Sequence, residues 1–233
     1  MNPRPHLSAN VAPPRTWDAR LARRLVTPLV NTWVTPNHLT TLRLLIGLAG
    51  ALCLARGGFE WANAGAFLIV LSNFVDHTDG ELARIGGKSS RIGHFYDLAC
   101  DALVTVMLFV GMGLGVGTAH IGALKLAPEW LGAAAGVAIA LIFFLRMRIE
   151  EMAGKAGTRQ ASVGGFETED VLYLLPIVTL TSVVMPFVVV ASIGAPLFAV
   201  WVVINYWRAG RRAASLAVPD GGASETSEVW ASE

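Results

Sequence analysis

Between Val171 and Trp207 the chain runs for 37 residues without a formally charged side chain. As one helix that run would extend about 55 Å at 1.5 Å per residue, too long for a single crossing of a roughly 30 Å hydrocarbon core. Two crossing helices with a tight turn near Ser192 to Pro196 fit it better. Such a run excludes most soluble folds, and the composition agrees: 15% of residues are charged, against about 25% in soluble domains. The mean hydropathy is +0.54. The sequence therefore predicts an all-α, polytopic membrane protein.

Apolar segments over residues 39–55, 61–84, 92–114 and 130–148 precede this run, which makes six transmembrane helices. Ahead of them, Trp17, Leu21, Leu25, Leu29 and Trp33 recur every four residues, while Asp18, Arg20, Arg23 and Arg24 fill the other face. That pattern predicts an amphipathic interfacial helix over 16–34, kinked near Pro28. A soluble linker helix is the alternative. Residues 1–15, Pro- and Asn-rich, are expected to be mobile, 35–212 to form the six-helix domain, and 213–233, small and polar, to form a disordered tail. The first 38 residues lack the short apolar core of a secretory signal peptide, so the N-terminus is expected to stay intact.

Six helices place both termini on one side. Of the 18 Lys and Arg residues, only Arg56 and Lys125 fall on the other side. The positive-inside rule then puts the termini, the turn at 84–91 and the loop at 149–168 in the cytoplasm, with the protein in the inner membrane if the cell is bacterial. A net charge of +1, with no long basic cluster, excludes nucleic acid as a partner. Cys53 and Cys100 lack CxxC spacing and fall toward opposite membrane faces, which argues against a disulfide or a thiolate metal site. Gly132-Ala-Ala-Ala-Gly136 and the series Gly111, Gly113, Gly115, Gly117 allow close helix packing, within a protomer or between two.

Against this background the stretch VDHTDGELAR, Val75 to Arg84, stands out at the cytoplasmic end of the second segment. A short turn leads into IGHFYDLACD at the start of the third. Asp76 and Asp79 are three apart, Asp97 and Asp101 four apart, so each pair shares a helix face. A hairpin of the two helices would let the four carboxylates converge. Gly80 follows Asp76 by four residues, Ala83 follows Asp79 by four, and Gly93 precedes Asp97 by four, so the acid-bearing faces lack bulk. Gly is disfavoured in a helix interior by about 1 kcal/mol, and bare backbone beside acids suggests a ligand that must come close. Arg84, one turn past Gly80, could meet an anion there.

Four unpaired carboxylates near lipid would repel one another, and a divalent cation removes the repulsion. All-oxygen ligands suit Mg2+, Mn2+ or Ca2+, and four carboxylates are enough for two shared ions. The alternative is ordinary membrane-end charge paired with Arg84, Lys88 and Arg91. It accounts for the bases and leaves the four spaced acids and their glycines unexplained. His77 and His94 flank the acids, with roles in supporting the ligands or at an interface favoured over metal binding. Arg43 lies one turn inside the first segment, as a site residue or as a side chain snorkelling to the surface.

The pattern Asp76-x2-Asp79-Gly80-x2-Ala83-Arg84-x8-Gly93-x3-Asp97-x3-Asp101 resembles, at every fixed position, the signature of the CDP-alcohol phosphotransferase (CDP-alcohol phosphatidyltransferase) family, class-I type. The six-helix plan and the N-terminal amphipathic helix also look like that family, so the resemblance covers most of residues 16–212. It implies a homodimeric, two-metal enzyme of phospholipid biosynthesis that transfers a substituted phosphate from a CDP-alcohol to an acceptor hydroxyl and releases CMP. By position, Asp76 and Asp97 would bridge two Mg2+ ions (Mn2+ as the alternative), Asp79 would serve the first and Asp101 the second. Asp101 would also take the proton from the acceptor. Gly80 and Arg84 would contact the CDP moiety, with Ala83 and Gly93 beside it. Thr35-Pro36-Asn37-His38-Leu39-Thr40 resembles the family's Pro-Asn-x-x-Thr element, which implies that Asn37 and Thr40 help to hold the nucleotide, and Ser90 falls at a further nucleotide position. Arg146 and Arg148 end the fourth segment near the same surface and could bind an acceptor phosphate, as basic residues do in family members that use phosphorylated acceptors, although positive-inside charge is the favoured explanation.

The donor alcohol stays open. CDP-diacylglycerol with a polar acceptor is favoured as the commoner arrangement, and a small polar CDP-alcohol with a lipid or soluble acceptor is the alternative. From another class, a divalent-cation transporter would spread its acids through the membrane depth. Here they cluster at one end.

Overall fold

The computed structural model describes residues 17–88, 90–117, 119–121, 124–153 and 172–217. The expectations for residues 1–15, for most of the 149–168 loop and for the tail beyond 217 lie outside them. The described chain is helical apart from one small antiparallel pair, β1 (Ala119–Ile121) and β2 (Leu124–Leu126).

The first helix, α1 (Trp17–Val26), is shorter than the predicted 16–34. Pro28 sits in a 3-10 turn, Thr27–Leu29, and the chain beyond it leaves the helix. Proline offers no N–H to continue the ladder, so the expected kink becomes an end. The apolar stripe Trp17, Leu21 and Leu25 is exposed, whereas Asp18 and Ala22 are fully buried. Where the surroundings are lipid, outward apolar and inward polar is the stable arrangement.

Helix α2 (Pro36–Arg56) opens with Thr35 extended, Pro36 in the first turn, and the Thr35 N–H donating to His38 Nδ1 at 3.2 Å. Gly57, at φ +71°, ends it. Helix α3 (Phe59–Gly86) is closed by Gly87 in the left-handed region at φ +60°. Helix α4 (Arg91–Val116) is capped by Ser90, whose Oγ accepts the Gly93 N–H at 2.9 Å. Helix α5 (Pro128–Ala153) follows, then α6 (Leu175–Leu180) and α7 (Val184–Ala217).

The break in the long apolar run lies at 181–183, where Ser182 adopts φ +56°, and the predicted turn at Ser192 to Pro196 falls inside the 34-residue α7. A proline within a membrane helix frees one carbonyl and does not force a turn, because neighbouring groups can satisfy it. Among the described residues four helices are long and apolar enough to cross a membrane: Pro36–Arg56, Ile92–Val116, Pro128–Ile149 and Val184–Arg211. Of the other two predicted crossings, α3 is 28 residues long but charged in its second half, and α6 has six residues.

Helix α2 packs on both α3 and α4, while α3 and α4 barely touch each other. The predicted α3–α4 hairpin is therefore a wedge, with α2 driven between its arms. Helix α4 then packs on α5, and α5 on α7. The small residues allow these contacts within one protomer. A Cβ at Gly111 or Gly115 would strike the Ala51 or Leu54 carbonyl of α2, and one at Gly132 the Phe109 carbonyl of α4. Leu54, Ile69, Leu108, Met112 and Val188 fill the space between as the main core.

Candidate active site

The wedge brings side chains from three helices to one place. Arg43 points from α2 into the gap between α3 and α4 and is 2% exposed. Its Nη1 donates to Asp101 Oδ1 at 2.6 Å, and its Nη2 to Asp97 Oδ1 at 2.7 Å and to the Asp97 carbonyl at 3.0 Å. Its Nε lies 3.1 Å from Asp76 Oδ1 and 3.6 Å from Asp79 Oδ2, ion-pair contacts that lack hydrogen-bond geometry. All four predicted acids thus surround one guanidinium. The Ser72 hydroxyl, donating to the Arg43 carbonyl at 2.8 Å, ties α3 to the same turn of α2.

Asp76, Asp97 and Asp101 can each present an oxygen within 4.8 Å of the others. Asp79 stands slightly apart and accepts from the buried Thr40 hydroxyl at 2.7 Å. One guanidinium cannot neutralise four ionised carboxylates. The surplus negative charge and the all-oxygen donor set fit hard divalent cations such as Mg2+ or Mn2+.

The predicted ligand face is open beside the acids. A Cβ on Gly80 would meet nothing within 4 Å. A Cβ on Gly93 would lie 2.9 Å from both Asn37 Oδ1 and Ser90 Oγ, so these three predicted residues meet at the start of α4. Ala83 is half-buried, and Arg84 reaches out with Nη1 2.9 Å from Glu81 Oε1. The Thr41 and Tyr96 hydroxyls, 2.9 Å apart, tie α2 to α4.

Other flanking residues go elsewhere. His77 contacts Asp18 Oδ2 through Nε2 at 3.1 Å and the Asn73 carbonyl through Nδ1 at 2.9 Å, so both ring nitrogens are engaged by α1 and by its own helix. His94 is exposed. Arg146 lies over the Phe198 ring at 5.7 Å, on the α5–α7 contact, and Arg148 is exposed at the end of the predicted 130–148 segment. Sequence reasoning left Arg43 between two roles. Its signal was an arginine inside an otherwise uncharged helix, and its depth alone did not tell surface from site. It missed the Thr40–Asp79 bond and the burial of Glu81 and Asp18, because helical spacing does not say which neighbour covers a face.

Fold and site together define a multi-pass integral membrane protein with an acidic, oxygen-only cluster at one end of its bundle. The chain belongs to the CDP-alcohol phosphatidyltransferase family, whose profile matches residues 33–208. Among curated proteins it is 32% identical over 143 residues to the bifunctional IPC transferase and DIPP synthase of Rubrobacter xylanophilus, covering 61% of this chain and 30% of that protein. It is 34% identical over 110 residues to cholinephosphotransferase 1 of Danio rerio, covering 44% and 27%. The chain thus spans less than a third of either relative. The crystal structure of Mycobacterium tuberculosis phosphatidylinositol phosphate synthase with CDP-DAG bound superposes with a TM-score of 0.54 at 25% identity, covering 86% of this chain and 96% of that one.

Proposed function

We propose that the protein transfers a substituted phosphate from a CDP-alcohol, with CDP-diacylglycerol as the favoured donor, to an acceptor hydroxyl, releasing CMP in phospholipid biosynthesis. The observation that carries this reading is the convergence of Asp76, Asp79, Asp97 and Asp101 beside the bare face of Gly80. A diphosphate needs cationic charge and close approach, and this arrangement offers a place for both. The likeness to a CDP-DAG-bound structure supports the donor. The likeness to a cholinephosphotransferase keeps a small CDP-alcohol as the second reading.

The four Asp would hold two divalent ions, Mg2+ or Mn2+. Bound there, the ions would neutralise the diphosphate and the charge developing on departing CMP. The chain's own residues do the rest. Gly80 admits the diphosphate, Arg84 pairs with it, and Asn37, Thr40, Ser90 and Gly93 border the nucleotide. Asp101 accepts the acceptor's hydroxyl proton as the new O–P bond forms and the bond to CMP breaks. Arg146 and Arg148 remain candidates for an acceptor phosphate. Catalysis then rests on positioning and on charges fixed before the reaction.

The same reading has six membrane crossings, α3 and one that ends at the 181–183 turn adding to the four apolar helices. It has α1 at the interface, the site and both termini in the cytoplasm, and a homodimer. Cysteine labelling of the 84–91 turn from the cytoplasmic side alone is the expected result for that orientation. The central test incubates purified protein and Mg2+ with CDP-diacylglycerol, or a small CDP-alcohol, and with inositol phosphate, glycerol phosphate or serine. CMP should appear with one pairing and cease with EDTA. No CMP from any donor refutes the proposal, and full turnover in excess EDTA refutes its metal dependence.

A further inference from the structure

The acids occupy one stripe of α3, and the neighbouring stripe, His77, Glu81 and Arg84, together with Lys88 just past the helix end, carries a second set of polar contacts. These hold the N-terminal segment. Asp18 of α1, fully buried, accepts from the Tyr173 hydroxyl at 3.2 Å and sits 3.1 Å from His77 Nε2. Further along, Lys88 Nζ donates to the Thr32 and Val34 carbonyls at 3.1 and 3.0 Å. Between these points lies Glu81, 2% exposed. Its Oε2 accepts from Arg23 Nε of α1 at 2.7 Å, and its Oε1 from Arg84 Nη1 at 2.9 Å.

A buried carboxylate is costly unless paired, and a buried pair is weak evidence for stability, since apolar residues can fill the same space at least as well. What the Arg23–Glu81–Arg84 chain does provide is a fixed direction for Arg84. That side chain is long and 66% exposed, so its unbound rotamers are many. Tying one nitrogen to a buried acid leaves the rest of the planar fork directed, and a directed fork loses less freedom when it meets an anion. Arg84 is one turn from Gly80, where the face is open.

We propose that Arg23 and Glu81 are positioning residues for the donor site: α1, through Arg23, fixes Glu81, and Glu81 holds Arg84 where the diphosphate of a CDP-alcohol would lie beside Gly80. This rests on the function proposed above. It makes the N-terminal helix a part of donor binding in addition to a surface anchor.

The test compares Arg23→Gln, Arg23→Lys, Glu81→Gln, Arg84→Gln and Arg23→Gln/Arg84→Gln in CMP release at varied CDP-alcohol, with donor affinity measured by calorimetry. Arg23 is partly exposed, so its variants should fold even where Glu81→Gln does not. Arg23→Gln should raise the donor KM and Kd by roughly tenfold, the scale of one charge-assisted contact, with kcat within about twofold. Arg23→Lys should recover part of the loss. On an Arg84→Gln background Arg23→Gln should add nothing, because its effect runs through Arg84. A wild-type KM in Arg23→Gln overturns the relay. So does an equal further loss on the Arg84→Gln background, which marks α1 docking as merely structural. Both outcomes leave the proposed function standing when wild-type protein releases CMP. A wild-type protein that neither binds nor cleaves any CDP-alcohol overturns both.

Discussion

Arg43→Met removes the one cation at the centre of the acid cluster while keeping most of the side-chain volume. Arg43 meets Asp101, Asp97 and Asp76 at 2.6, 2.7 and 3.1 Å. With charge centres about 4 Å apart and an effective dielectric constant near 20, each attraction is worth roughly 4 kcal/mol before desolvation. The three carboxylates, with oxygens within 4.8 Å of one another, repel pairwise by roughly 3 kcal/mol on the same scale. Attraction and repulsion nearly balance with Arg43 present, and only repulsion remains without it. Removing one partner of a buried ion pair typically costs about 3–5 kcal/mol. At about 2–4 °C per kcal/mol for a domain of this size, the metal-free melting temperature should fall by about 10 °C. The assay is thermal unfolding of purified protein in detergent, in EDTA and across a Mn2+ or Mg2+ titration. Divalent ions should restore most of the loss and should stabilise Arg43→Met by more degrees than wild type, since they then supply the missing charge. A variant that melts like wild type in EDTA, or that gains nothing extra from the metal, refutes the view of Arg43 as the cluster's resident counter-ion.

Gly80→Leu should keep the fold, because its Cβ enters open space and Leu is the better helix former by most of ~1 kcal/mol, yet donor affinity by calorimetry should fall. Unchanged affinity would assign Gly80 to packing. Gly115→Ala should lower the melting temperature, since its Cβ collides with the Leu54 carbonyl and overpacking costs about 1–3 kcal/mol; unaltered melting would show that α2 and α4 can part freely. Asp101→Asn should cut CMP release by about 10²–10⁴-fold with donor affinity largely kept, whereas Asp97→Asn should lose both. Near-normal turnover in Asp101→Asn would move the base to another group.

The acid pattern was legible because helical spacing alone fixes which residues share a face, and Asp76/Asp79 and Asp97/Asp101 do meet. The route by which they meet was not legible. Spacing within α3 and α4 cannot reveal that α2 enters between them, since that depends on which bare helix faces find each other. The turn after α6 failed for a related reason. Pro196 is the conspicuous breaker in the sequence, yet the chain turns at Ser182, in a Thr-Ser-Val stretch without Gly or Pro. Thr181 there donates its hydroxyl to the Ile177 carbonyl at 2.6 Å, so side chains finish the helix in place of a breaker. In α1 the apolar stripe was legible, and Trp17, Leu21 and Leu25 are exposed as an interfacial face requires. What covers the other face was not legible: Asp18 is buried against His77 and Tyr173, partners that spacing within α1 cannot name.

The apolar and the acidic parts of the chain therefore depend on each other. Gly50 and Gly65 let α2 approach α3 closely, and Gly111 and Gly115 let it approach α4. These contacts lie roughly two to three turns from Arg43 along α2. Because a helix is stiff over that length, the glycine contacts set the depth and rotation at which Arg43 and Thr40 reach the acids. Arg43 must contact carboxylates from two helices that barely touch, and a shift of 1 Å would lengthen bonds of 2.6 and 2.7 Å beyond useful hydrogen-bonding range. The wedge also leaves the space over Gly80 open, because α3 and α4 are held apart where a direct hairpin would have closed on itself. An acid site at the end of a membrane bundle thus owes its geometry to small residues buried in the bundle's uncharged half.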